Sequence, residues 1–104
     1  MTTTFSFDQA TETLSAAFQA RMDTVNSAAA LEEFARETGR IGPAAVSRIV
    51  FDLTGVEYIA SGFLRLCLSA AKSVPNGRFS IVNTDPAVKK VFKIAGLDVL
   101  LQVS

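Results

Sequence analysis

The chain has no histidine and no tryptophan, and one cysteine among its 104 residues. The missing histidine removes the usual zinc ligand sets and every nucleophilic triad that relies on an imidazole base. The lone Cys67 has no partner for an internal disulfide. Net charge is missing too: ten Lys and Arg balance ten Asp and Glu, so no overall field draws the protein to nucleic acid or anionic lipid. No apolar run approaches the roughly 18 residues of a membrane span, and Met1 to Asp8 lacks a basic region followed by an apolar one. A soluble, cytoplasmic protein without membrane insertion is expected. Gly39, Gly42 and Gly55 do not form a phosphate-cradling spacing, and the one adjacent acidic pair, Glu32-Glu33, falls on a polar helix face. The expectation is a protein that is not an enzyme, with no metal and no cofactor.

Apolar residues are plentiful instead, at 49% with eight Phe, the composition of a packed core. A chain of this length forms one domain, 1–104, and buries roughly 65% of the surface its unfolded form exposes. A protein partner or a neutral ligand is the better default for such a chain.

Phe5 and Phe7, then Leu14, Ala16 and Phe18, alternate with polar residues around Asp8 to Glu12, which predicts two short strands and a turn. Asp23 reads as an N-cap before a helix over 24–38. Val25, Ala28, Leu31, Phe34 and Ala35 are its predicted inward face, with Gly39, Gly42 and Pro43 ending it. Val46 to Leu53 reads as a central strand covered on both faces. After Val56 to Ile59, a helix from Ser61 to Val74 is predicted to bury Leu64, Cys67, Leu68 and Ala71. Pro75-Asn76-Gly77 turns the chain into a strand over 78–83. Asp85-Pro86 opens a helix burying Val88, Val91, Phe92 and Ala95, Gly96 closes it, and 98–103 returns as a short strand or helical turn. Strands alternating with helices predict an α/β domain, a mixed sheet of four to five strands packed with three to four helices and a hairpin at its N-terminal side.

Ser61 stands where the Val56 to Ile59 segment gives way to a helix. Its hydroxyl is placed either to cap that helix, because Ala60 has no capping group, or to accept a phosphoryl group. Local physics leaves both readings open. Phe63, Leu66 and Ala70 flank the predicted inward stripe, which makes them a docking face or a widening of the buried one. Lys89, Lys90 and Lys93 read as a solvated face, and Cys67 as core.

Three segments resemble the STAS domains of bacterial anti-sigma factor antagonists: Ile49-Val-Phe-Asp-Leu-Thr-Gly-Val-Glu-Tyr-Ile59, Ala60-Ser-Gly-Phe-Leu-Arg65, and Gly77 to Asn83 continuing through Val88 to Leu97. Ala20-Arg-Met-Asp23 is similar to the family's motif before its first helix. The resemblance implies that Ser61 is the phosphoacceptor and that Asp23, Ala60, Gly62, Phe63, Arg65 and Leu66 meet the partner. That partner would be an anti-sigma factor of the serine protein kinase type, opposed by a cognate phosphatase, acting on a monomer or weak dimer. Two positions depart from the family pattern: Ala60 replaces an Asp or Ser, and Phe63 replaces a Gly. Two other functions are compatible with the resemblance, a permanent assembly subunit of an ABC-type lipid transporter and a small-ligand sensor.

Overall fold

A computed structural model describes residues 3–18 and 20–104. Strand β1 (Thr3–Asp8) turns back on β2 (Thr13–Phe18), and a three-residue strand β3 (Ala20–Met22) leads into helix α1 (Thr24–Ile41). Strand β4 (Arg48–Asp52) and strand β5 (Val56–Ile59) precede α2 (Ser61–Lys72), and β6 (Phe79–Val82) precedes α3 (Pro86–Ile94). The main sheet has the order β1-β2-β4-β6, antiparallel at the β1–β2 hairpin and parallel between β2, β4 and β6. A separate parallel pair joins β3 to β5. The expected α/β class, mixed sheet and N-terminal hairpin are all present.

Strand alternation puts Leu14, Ala16, Phe18, Ile49, Phe51, Phe79 and Ile81 on one face of the sheet, all buried. Their neighbours Thr13, Ser15, Arg48, Val50, Ser80 and Val82 are only half-buried. The strand over 48–52 is therefore covered on one face, not both. Helices α1 and α2 cover the buried face through rings that meet at Phe51. Phe18, Phe34 and Phe79 lie edge-on to it with centroids 4.8, 5.9 and 5.0 Å away, and Phe63 packs at a tilt 6.4 Å away. Edge-to-face contacts of this kind stabilise by about 1 kcal/mol each beyond the burial itself.

Both Asp caps are present: Asp23 Oδ1 accepts from Asn26 N at 2.8 Å, and Asp85 Oδ1 from Ala87 N at 2.9 Å. Three details of α1 and α3 differ from expectation. Helix α1 runs through Gly39 to Ile41, because Gly42, at φ 98°, is the residue that leaves the helical conformation and donates back to Thr38 O. Its buried face is Ser27, Ala30 and Phe34, whereas Val25, Ala28, Leu31 and Ala35 are exposed, Val25 by 77%. Ser27 can be buried because its Oγ donates to Met22 O at 3.0 Å. In α3, Val88 and Phe92 are buried while Val91 and Ala95 are exposed.

The last residues close one edge of the main sheet. Ile81 N donates to Gln102 O at 3.2 Å, Ser104 N donates to Ile81 O at 2.9 Å, and Gln102 Nε2 donates to Phe79 O. At the C-terminal ends of β4 and β6, Asp52 Oδ1 accepts from Thr54 Oγ1 (2.7 Å), Thr54 N (3.0 Å) and Asn83 Nδ2 (3.1 Å). These bonds fix the turn that carries the chain into β5. They favour the ionised carboxylate, the Thr54 hydroxyl most of all, and hold Asp52 below the usual Asp range.

A carboxylate whose folded pKa is depressed contributes stability above its unfolded pKa and loses it as pH falls through the folded value. The urea midpoint of the wild type is therefore expected to drop more steeply with acidification below about pH 4 than that of Asp52→Asn. Parallel slopes for the two proteins would show that this carboxylate does not couple to folding.

Candidate partner-binding and modification site

Strands β3 and β5 run parallel, with Arg21 opposite Tyr58 and Met22 opposite Ile59. Each feeds directly into a helix, so the N-termini of α1 and α2 lie side by side at one end of the molecule. One backbone carbonyl joins the two starts: Met22 O accepts from Ala60 N at 2.8 Å and from the Ser27 hydroxyl at 3.0 Å. A β-carbon added to Gly62 would come 3.4 Å from Ser27 Cβ, so the first turns of the helices are in near contact there.

The two starts differ in how they are capped. Helix α1 has the Asp23 carboxylate, and Asn26 Nδ2 bonds back to Arg21 O at 2.7 Å. Helix α2 follows Ala60, whose backbone is extended and which supplies no side-chain cap, and Phe63 N turns back to Ala60 O at 2.9 Å. Ser61 is exposed and its hydroxyl makes no hydrogen bond among the described residues. The capping reading of Ser61 therefore fails, and the hydroxyl is free at the positive end of a helix dipole.

The remaining predicted residues separate into two groups. Arg65 is exposed one turn beyond Ser61 and has no ion-pair partner among the described residues; Asp23, Ala60 and Gly62 are half-buried around the same helix starts. Phe63 and Leu66 are fully buried and cannot contact a partner in this conformation. Phe63 lies edge-on to Phe18 with centroids 5.1 Å apart. The buried stripe of α2 is Phe63, Leu66, Cys67 and Ala70, not Leu64, Cys67, Leu68 and Ala71, which are half-buried apart from Cys67. Both sets have the spacing i, i+3, i+4, i+7 and share Cys67, so periodicity alone could not choose between them. Burial raises the Cys67 thiol pKa well above its usual value, which fits a packing role.

Two residues at this end were not found from the sequence. The Arg21 guanidinium sits 4.4 Å above the Tyr58 ring, and both side chains are exposed. Only the β3–β5 pairing brings them together, and a three-residue strand leaves almost no sequence signal. Among the described residues there is no cluster of metal-ligating side chains, and no helix is long and apolar enough to cross a membrane.

The STAS domain profile matches residues 6–104, and the chain belongs to that family. Among solved structures, an anti-sigma factor antagonist from Mycobacterium paratuberculosis is similar, with a TM-score of 0.78 and 19% identity over 98% of this chain and 83% of that one. The anti-sigma factor antagonist SpoIIAA in its unphosphorylated form gives a TM-score of 0.67 at 17% identity, over 88% of this chain and 82% of its own. The Bacillus cell fate determinant SpoIIAA in the phosphorylated form gives 0.63 at 17% identity, over 97% and 91%. At these identities the likeness is one of fold. No curated protein matches the sequence significantly.

The site geometry yields two stability expectations. Ala60→Asp supplies α2 with the cap it lacks and is expected to stabilise the protein by about 1 kcal/mol in thermal denaturation at neutral pH. Phe63→Ala empties a ring position in the aromatic core and is expected to destabilise by about 3 to 5 kcal/mol. A change near zero for Phe63→Ala would place that ring outside the cooperative core.

Proposed function

We propose that this protein is an anti-sigma factor antagonist that binds an anti-sigma factor of the serine-kinase type, and that phosphorylation of Ser61 releases it. The observation that carries this reading is the free, exposed Ser61 hydroxyl at the start of a helix with no side-chain cap. In the neutral chain, a phosphoserine adds about two negative charges at one point on the surface. The α2 dipole favours that charge, and Ala60 puts no carboxylate beside it. In this reading the modified domain stays folded while its surface at Ser61 gains negative charge.

The switch works by differential affinity. A partner that packs over Ser61 must desolvate the hydroxyl in one state and a dianion in the other, and the second is far more costly. Asp23, Ala60, Gly62 and Arg65 belong to the proposed contact surface, joined by Arg21 and Tyr58. Phe63 and Leu66 support it from below. In this reading the protein is a binding component and not a catalyst. It acts in the bacterial cytoplasm, where sigma factors work, and a phosphatase restores the binding form.

The test is incubation with the cognate kinase and ATP, followed by peptide mapping. One phosphoryl group on Ser61 is expected, and none on Ser61→Ala. In titration calorimetry, Ser61→Ala should keep its affinity for the unloaded anti-sigma factor, and Ser61→Asp should lose at least about tenfold, or 1.4 kcal/mol. Phosphate on another residue, or equal binding by Ser61→Asp, would remove Ser61 from the proposed role.

A further inference from the structure

The two edges of the main sheet are treated differently. The outer edge of β6 is closed by Gln102 to Ser104 of the same chain. The outer edge of β1 has no backbone partner among the described residues, since every strand bond it makes is with β2. Exposed edges are normally blunted by Lys, Pro or a bulge. Thr3-Thr-Phe-Ser-Phe-Asp8 has none of these, and its pairing with β2 is regular over all six residues.

Beside that edge is an open groove of about 910 Å³, bordered by Phe5, Phe7, Leu14, Glu37, Arg40 and Ile41. Phe5 pairs with Ala16 and Phe7 with Leu14, so both rings are on the buried face of the sheet. Unlike their neighbours on that face, they are only half-buried and border this groove. The β1 edge thus combines unsatisfied backbone groups with two incompletely covered aromatic rings.

We propose that this edge pairs with the same edge of a second copy, forming a two-fold symmetric dimer with a continuous eight-stranded sheet. The strand is self-complementary in an antiparallel register centred on Ser6. In that register Phe5 of each copy is opposite Phe7 of the other, Ser6 is opposite Ser6, and Thr4 is opposite Asp8. Aromatic side chains then face each other on the groove side, and no like charges are opposed. The register also places Gln9 of one copy opposite Thr3 of the other; Thr3 Oγ1 is buried and has no hydrogen-bond partner among the described residues. A single strand pair with four rings is at the small end of specific interfaces, below about 1,200 Å² in total, which corresponds to a concentration-dependent dimer. Nothing in this pairing uses Ser61.

Sedimentation equilibrium from micromolar to millimolar protein is expected to show a monomer–dimer transition. Ser6→Lys places two ammonium groups opposite each other on the exposed face and should weaken the dimer by at least about tenfold while leaving the circular dichroism unchanged. Ser6→Cys should form an intermolecular disulfide under mild oxidation. Thr4→Cys should not, since the two Thr4 positions are about 13 Å apart along the strands in this register. A protein that stays monomeric over the whole range overturns the proposal. So does a dimer that Ser6→Lys leaves intact and in which Thr4→Cys cross-links as readily as Ser6→Cys.

Discussion

The position of Phe51 is the constraint on which most of this structure depends. It is on the inner face of β4, beside both neighbouring strands, and four further rings gather around it from β2, α1, α2 and β6. Each ring belongs to a different element, so the cluster fixes how both helices sit on the sheet at once. Phe63 is the member that α2 contributes, and it is two residues from Ser61. The start of α2 is therefore positioned by an aromatic contact directly beneath it. The large Phe63 side chain, which the resemblance marks as unusual, faces inward and fills core volume.

Much of the fold was legible in the sequence because its signals were local. Asp23 and Asp85-Pro86 announced helix starts through their chemistry, and Ile49 to Phe51 announced a strand, though not its half-open face, through β-branched and aromatic residues. Helix faces were harder to read. In α2, apolar residues occupy both flanks of Cys67, and two equally periodic stripes compete; only the position of the Phe cluster decides between them. In α1, the many Ala residues flatten the periodicity, and the buried face includes Ser27, a polar residue whose hydroxyl is satisfied by a carbonyl on β3. That bond is a tertiary fact with no local signature. The candidate site divides in the same way: Ser61 could be placed from the order strand, turn, helix, whereas Arg21 and Tyr58 are neighbours only through a short parallel pairing.

Capping chemistry also distinguishes the three helices. Carboxylates cap α1 and α3, and α2 starts without one. In structural terms α2 has the weakest start, and its stability comes from the packing of Phe63, Leu66, Cys67 and Ala70. An uncapped start of this kind leaves backbone N–H groups available to whatever negative charge is placed there. The feature that makes α2 the least self-sufficient helix is thus the one that leaves an uncapped helix start beside the exposed Ser61 hydroxyl.

The Met22 carbonyl, shared between Ala60 N and the Ser27 hydroxyl, has a consequence for recognition. Ala60 N on that oxygen ties the start of α2 to the strand that leads into α1, and the Ser27 hydroxyl on the same oxygen ties the end of that strand to the first turn of α1. The backbone leading into both helix starts is thus held by hydrogen bonds and strand pairing. A molecule that docks there meets a backbone already held in place, so the conformational entropy lost on association falls on the incoming partner and on exposed side chains such as Arg65.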